Sequence, residues 1–267
     1  MTDYIDEYFI DVEKKKSSFS AVEIKSQNPL INFKSLYPNN FATKTCLDLI
    51  DLYKPKSVFI FGHGNIAFSL VKSINDAGFS VDEITDVLLT HLHFDHCGGA
   101  SVFNEKTGKN EVLFKNAKYW SNKSHWGWAK KPNPREKASF LSENLFPIES
   151  SGALSFVSEH DTGFKHKQEL SLEIMFVNGH TEKQMIPKIQ YQNKTIVFAA
   201  DLIPTIGHLP VPYVMGYDVK PLVSMSEKEA FLNSAVKNNY YLFLEHDAHN
   251  EIITLKNTEK GVRVDQS

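Results

Sequence analysis

The chain has 267 residues, 42% of them hydrophobic and 12% aromatic, with a formal net charge of −3. That is enough apolar material for one large α/β core, and the slightly acidic balance argues against a dedicated nucleic-acid surface. Its only cysteines, Cys46 and Cys97, form no C-x-x-C pair and exclude a disulfide scaffold. The start, Met1-Thr2-Asp3-Tyr4-Ile5-Asp6-Glu7, has no apolar core of a signal peptide, and no apolar run reaches the length of a membrane span. A cytoplasmic protein without membrane association is the expectation.

Residues 7–36 mix charges with alternating apolar positions (Tyr8, Ile10, Val12; Val22, Ile24), which fits early strands or an arm. Ser57–Phe61 reads as a buried strand and Gly62-His63-Gly64-Asn65 as a turn. Ile66, Leu70, Val71, Ile74 and Ala77 then recur at helical spacing, with Gly78 as the stop. Ile84–Thr90 is the next strand, and it runs into His91-Leu92-His93-Phe94-Asp95-His96.

Residues 111–150 carry Trp120, Trp126, Trp128, Phe140 and Phe146 and read as a cap over a site. Within them, Asn133-Pro134-Arg135-Glu136 has the form of a helix start: Asn as cap, Pro first, Glu three after the cap. Leu172–Val177 is a strand leading to Gly179-His180. Ile186–Tyr191 and Thr195–Ala200 form a hairpin that ends at Asp201. Ser226-Glu227-Lys228-Glu229 is a capping box that opens a helix to about Asn238. Tyr240–Leu244 is a strand leading to Glu245-His246, and Ile252–Leu255 with Val262–Val264 make a last hairpin. No repeat or linker interrupts the series, so residues 1–267 read as one domain.

Imidazoles and a carboxylate packed as in His91–His96 are hard to explain by packing, because each would cost a few kcal/mol to bury unpaired. His180, Asp201 and His246 follow strands in the same way. A metal cluster explains them together, since neutral imidazole and carboxylate are the usual ligands of zinc and similar ions.

His91-x-His93-x-Asp95-His96, Gly179-His180-Thr181, Asp201 and His246, in that order, resemble the metallo-β-lactamase superfamily over roughly residues 55–250. The resemblance implies an αββα sandwich with two divalent ions at its edge. His91, His93 and His180 would hold one, Asp95, His96 and His246 the other, and Asp201 with a hydroxide would bridge them. Asp95 and Asp201 would then be the catalytic carboxylates. Zinc is the default, with Fe, Mn or Co able to use the same donors. Two such ions against Asp95, Asp201 and a hydroxide leave about one positive charge, suited to an anionic transition state. The implied reaction is hydrolysis of a small ester or lactone by the bridging hydroxide.

Ala199-Ala200-Asp201-Leu202-Ile203-Pro204-Thr205 and Leu244-Glu245-His246-Asp247 resemble the lactonase, glyoxalase II and organophosphate-hydrolase-like members. Two departures stand out. Lactonases of this kind carry a Tyr three residues after the bridging Asp, where this chain has Pro204; Tyr213 or Tyr217 are the candidates to replace it. The usual Asp-x-Gly after the early strand is absent from Ile60-Phe61-Gly62, and His63 is a candidate replacement. Phe94, Trp126, His208, Tyr213 and Tyr217 are the candidate pocket residues. The other histidines and Cys97 read as surface or packing groups.

Alternatives are phosphoester or phosphotriester hydrolysis on the same cluster, sulfur-dioxygenase-like redox chemistry at a single iron, and a non-catalytic binding protein. The expected partner is a small-molecule substrate, without nucleic acid or membrane. A homodimer through the N-terminal segment or the 205–220 loop follows from family habit.

Overall fold

The computed structural model describes residues 78–159, 172–191 and 193–265, residues 71, 74 and 75, and the strands β1 (Glu23–Lys25) and β2 (Asn32–Lys34). β1 and β2 pair antiparallel, with Ile24 opposite Phe33. The expected strand at 57–61, the turn at 62–65 and Cys46 lie outside the described residues. Gly78 follows the helical residues 71, 74 and 75, as expected of a stop. Its φ of +87° is a conformation that glycine adopts without penalty, and the N–H of Phe79 donates back to the Ile74 carbonyl at 3.0 Å.

Two sheets meet face to face. In the first, β3 (Asp86–Leu88), β6 (Lys118–Ser121) and β7 (Leu154–Phe156) are parallel, with β6 in the middle. Successive side chains on a strand point to opposite faces, and here both faces are buried. Leu88 and Trp120 join one core, while Val87, Leu89 and Tyr119 join the other. That double burial is why the strands read as apolar runs rather than as alternating ones.

The second core is closed by α1 (Phe94–Cys97), α2 (Lys123–Lys130) and α3 (Ser142–Ser150), which contribute Cys97, Trp126, Ala129, Leu145 and Ile148. The start of α2 is set by Asn122, whose side chain accepts from the His125 N–H. β4 (Ser101–Asn104) and β5 (Lys109–Val112) form a separate hairpin beside α3.

The second sheet holds β8 (Glu173–Val177), β9 (Gln184–Tyr191), β10 (Lys194–Phe198), β11 (Tyr240–Phe243), β12 (Ile252–Thr258) and β13 (Gly261–Asp265) in the order β13-β12-β11-β10-β9-β8. β10 and β11 are parallel, and α4 (Pro221–Lys237) crosses between them. Phe231, Leu232 and Ala235 of α4 pack against this sheet, whose opposite face meets Leu88, Trp120 and Val157 of the first. The layers are helix, sheet, sheet, helix: the αββα sandwich.

Three expectations change. Residues 111–150 do not form a cap, because β6 is the middle strand of a sheet; within that stretch the turns at 131–140 lie against the site. Asn133-Pro134-Arg135-Glu136 makes turns instead of a helix, since Glu136 is drawn off to other partners described below. α4 begins at Pro221, with Pro in the first turn. Ser226–Glu229 therefore lie inside it, and Glu227 accepts from the N–H groups of Asn178 and Gly179, at 2.8 and 2.9 Å, rather than from its own helix end.

Candidate metal centre

Strand direction collects the polar residues. β8 and β10 are each antiparallel to β9, and β11 is parallel to β10. So β8, β10 and β11 all point the same way, and the residues after them, His180, Asp201 and His246, fall at one rim. The loop after β3 reaches the same rim from the facing sheet and is tied to it by Met185 N–H donating to Thr90 O at 2.9 Å. His93 is the N-cap residue of α1, and Asp95 and His96 lie inside that helix, which brings the His96 ring to 3.9 Å from the His91 ring, centroid to centroid. Ala200 has a φ of +41°, a left-handed conformation uncommon for a non-glycine residue, immediately before Asp201.

Asp201 is the hub. Its Oδ2 lies 3.1 Å from His180 Nε2, 3.2 Å from His96 Nε2 and 3.7 Å from His91 Nε2, while Oδ1 lies 3.2 Å from His246 Nε2. His93 Nδ1 is 3.2 Å from His180 Nε2, and His96 Nε2 is 3.3 Å from His246 Nε2 and 3.6 Å from Asp95 Oδ2. The donor atoms form three overlapping groups, each within 4.8 Å: His91, His93 and His180; His91, His96 and Asp201; Asp95, His96 and His246. His91 Nε2 is fully buried without a hydrogen-bond partner, as is Asp201 Oδ1. Converging ring nitrogens and an orphaned, buried imidazole nitrogen fit divalent cations and are costly otherwise.

Behind the ring nitrogens stand more carboxylates. His180 Nδ1 lies 2.9 Å from Asp218, His96 Nδ1 3.2 Å from Glu245 and His93 Nε2 3.4 Å from Glu136, all buried. This is the arrangement that fixes the tautomer and orientation of metal-ligating histidines. Burial works against charge on His180, but Asp201 and Asp218 push it up to about 9. Burial likewise opposes ionisation of Asp201, yet His96 and His180 hold it well below the usual carboxylate range. Burial lowers His91 and His93, which keeps those rings neutral and able to coordinate.

His125 was expected to be a packing or surface residue. It is buried and braces the loop: Nε2 accepts from Leu92 N–H at 2.9 Å, and Nδ1 donates to the Glu182 carbonyl at 2.5 Å. Burial pushes it down to about 3, so it stays neutral. Glu136 carried only the signal of a helix start and Asp218 none, because each lies in a loop remote in sequence from every ligand. Glu245 carried one, being adjacent to His246.

The pocket candidates fare unevenly. Phe94 is exposed, at the first position of α1 between His93 and Asp95. Trp126 is buried against Phe156 in the helix-covered core, so it is not a pocket wall; α2 turns it inward. His208 is half-buried, with Nδ1 2.8 Å from Thr205 Oγ1, and its protonation is lowered by burial and by Lys228 while feeling Asp201 and His246. Tyr213 and Tyr217 are 62% and 76% exposed, and Tyr213 lines a cavity together with Pro210, Leu232 and Arg263. The Pro204 carbonyl accepts from His246 N–H at 3.2 Å, which joins two ligand loops where lactonases carry Tyr. His63 lies outside the described residues. Cys97 is buried with Sγ donating to the Leu92 carbonyl at 3.3 Å, and burial pushes its thiol up to about 12.

A model of the metallo-beta-lactamase superfamily matches residues 61–246. The chain belongs to this superfamily. Solved structures similar to it include a probable metal-dependent hydrolase from Staphylococcus aureus, 21% identical over 79% of each chain with a TM-score of 0.63. AidC, a dizinc quorum-quenching lactonase solved with N-hexanoyl-L-homoserine as product, is 20% identical over 93% of this chain and 97% of its own, with a TM-score of 0.66. The hydrolase AbOPH is 14% identical over 93% and 98%, also with a TM-score of 0.66. At these identities the likeness shows the fold. No curated protein matches the chain. Among the described residues, no helix of this superfamily member is long and apolar enough to cross a membrane.

Proposed function

We propose that this chain is a dinuclear metal-dependent hydrolase acting on small esters or lactones. The observation that carries the reading is Asp201, one carboxyl oxygen facing His180, His91 and His96 and the other facing His246. His91, His93 and His180 would hold one ion, Asp95, His96 and His246 the second, and Asp201 would touch both. Zinc is the first choice, in line with the dizinc lactonase of similar fold. Such ions, when bound, supply a nucleophile at neutral pH by lowering the pKa of water to roughly 7, and a Lewis acid for a carbonyl oxygen.

The chain's own residues do the rest. Glu136, Asp218 and Glu245 orient three of the imidazoles, so the donors are set before substrate arrives. Asp95 stands at the open side, its side chain 45% exposed, where it can pass a proton to the departing alkoxide oxygen. Phe94, exposed beside it, offers an apolar surface to the acyl part of a substrate. Phosphotriester hydrolysis is the second reading. It is favoured by Pro204, which leaves no tyrosine hydroxyl at that position to assist a carbonyl.

The test is metal analysis followed by proton-release assays of zinc-loaded protein and its His93→Ala variant on N-acyl homoserine lactones, simple aliphatic lactones and phosphotriesters. Two ions per chain with lactone turnover lost in the variant supports the reading. Turnover of phosphotriesters alone moves the assignment to the second reading. A single iron without hydrolysis moves it to redox chemistry.

A further inference from the structure

The turns at residues 131–140, of which only Glu136 entered the chemistry above, touch the centre from two directions. Asn133 sets their shape: its Oδ1 accepts from the N–H groups of Arg135 and Glu136 at 2.8 and 3.2 Å, and its carbonyl accepts from Glu136 and Lys137. The next two side chains then go to different targets. Glu136 is buried, and its Oε2 accepts from Trp128 Nε1 at 2.7 Å and from Asn133 Nδ2 at 2.6 Å. That fixes Oε1 3.4 Å from His93 Nε2. Arg135 reaches instead to the loop before α4, donating from Nη2 to Gly216 O at 2.6 Å and from Nε to Asp218 O at 3.1 Å. The side chain of that same Asp218 meets His180 Nδ1 at 2.9 Å.

We propose that Arg135 and Glu136 form one positioning unit that sets His93 and His180 relative to each other, Glu136 acting on His93 directly and Arg135 acting on His180 through the backbone of Asp218. The inference rests on the metal reading of the site. These two rings come from positions 87 residues apart and present donor nitrogens 3.2 Å from one another. Their loops are tied by His125, between Leu92 and Glu182, and by Met185 N–H to Thr90 O; the turn at 133–136 adds restraints on the far nitrogens of the two rings. A carboxylate on the far nitrogen holds ring and tautomer. A guanidinium fork on two carbonyls holds a backbone segment in a way that a single ammonium cannot. Because the two residues are adjacent on one Asn-fixed turn, the two restraints share a rigid origin. The helix-start pattern Asn133-Pro134-Arg135-Glu136 is thus used to build a brace.

The experiment titrates zinc and cobalt(II) into the full-length metal-free protein against a chelator, for wild type, Glu136→Gln, Arg135→Ala and Arg135→Lys, and records the visible spectrum of each cobalt form. Glu136→Gln is expected to weaken the tighter-bound ion by about 10- to 100-fold, the usual cost of losing a carboxylate behind a ligand. Arg135→Ala, an exposed position, is expected to weaken the same ion by about tenfold and to shift the cobalt bands, with the melting temperature of the metal-free protein unchanged. Arg135→Lys is expected to resemble Arg135→Ala, for want of a fork. Unchanged affinity and cobalt bands in Arg135→Ala overturn the proposal, as does full recovery in Arg135→Lys, which would reduce the effect to charge. A wild-type chain that takes up no metal is a separate failure, that of the metal reading itself.

Discussion

The two ends of the ligand cluster are built differently. His91, His93 and His180 are buried, and His93 also packs against Phe140 with ring centroids 4.8 Å apart. At the other end His96 is buried, but the side chains of Asp95 and His246 are 45% and 34% exposed. One end is dry and braced, so its ligands lose little freedom on binding an ion. The other is open to solvent, the side by which a substrate of the proposed reaction would enter. The difference teaches that one set of donor types can serve as an anchor or as a working face, depending on what packs behind it.

The largest expected effect removes the group shared by both ends. Asp201→Ala should lose both ions and cut turnover by at least about 100-fold, read by metal analysis and kcat. Next come variants that separate the ends. His246→Ala should keep one tightly held ion per chain, whereas His93→Ala should lose that ion; equal stoichiometry and affinity in the two would erase the distinction. Asp95→Asn should slow substrates with poor leaving groups by about 100-fold while sparing those with good ones. Full rates on both, at full metal occupancy, would remove Asp95 from proton transfer.

The braced end should also respond to pH. In the metal-free protein His180 is raised to about 9 by Asp201 and Asp218. The stability of that arrangement is complete below the ordinary histidine pKa of about 6.5 and is lost as pH rises through about 9. A metal must displace this proton, so affinity at the buried end should climb up to about tenfold per pH unit between pH 7 and 9. Zinc competition titrations across that range check it, and a flat profile would contradict it.

The smallest effects concern packing around the braced end. A Cβ on Gly179, next to His180, would collide with the backbone and hydroxyl of Ser224 in α4. Gly179→Ala should therefore destabilise by about 1–3 kcal/mol, as an overpacked site does. Gly127, exposed in α2, has nothing within 4 Å of its Cβ position, and Gly127→Ala should gain about 0.5–1 kcal/mol. Thermal melts of both variants give the comparison.

Much of this was legible in the sequence. β3, β8, β9, β10 and β11 follow from apolar runs bounded by turn residues, a pattern that extensive burial leaves on the chain, and the more exposed last hairpin follows from its turn residues. The ligand-type residues were visible because His and Asp packed so densely are costly unless used. Trp126 was misplaced because an aromatic in a helix can face the core or the site, and only the turn of α2 around the sheet decides which. Tyr213 and Tyr217 were open because they lie in the loop before α4, where no periodicity fixes the direction of a side chain. The start of α4 was misplaced because Ser226-Glu227-Lys228-Glu229 satisfies a local capping rule, while the helix gains more by extending back to Pro221 and spending Glu227 on Asn178 and Gly179.

The sequence by itself determined the chemistry: which residues can bind a metal, in what order, and at the ends of which strands. Those are local properties of residue type and spacing. The tertiary structure alone decided which end of the cluster is sealed and which is open, and brought Glu136, Asp218 and His125 to the ligands. Those contacts join residues tens of positions apart, and their pairing is set by the packing of two sheets, which no local pattern encodes.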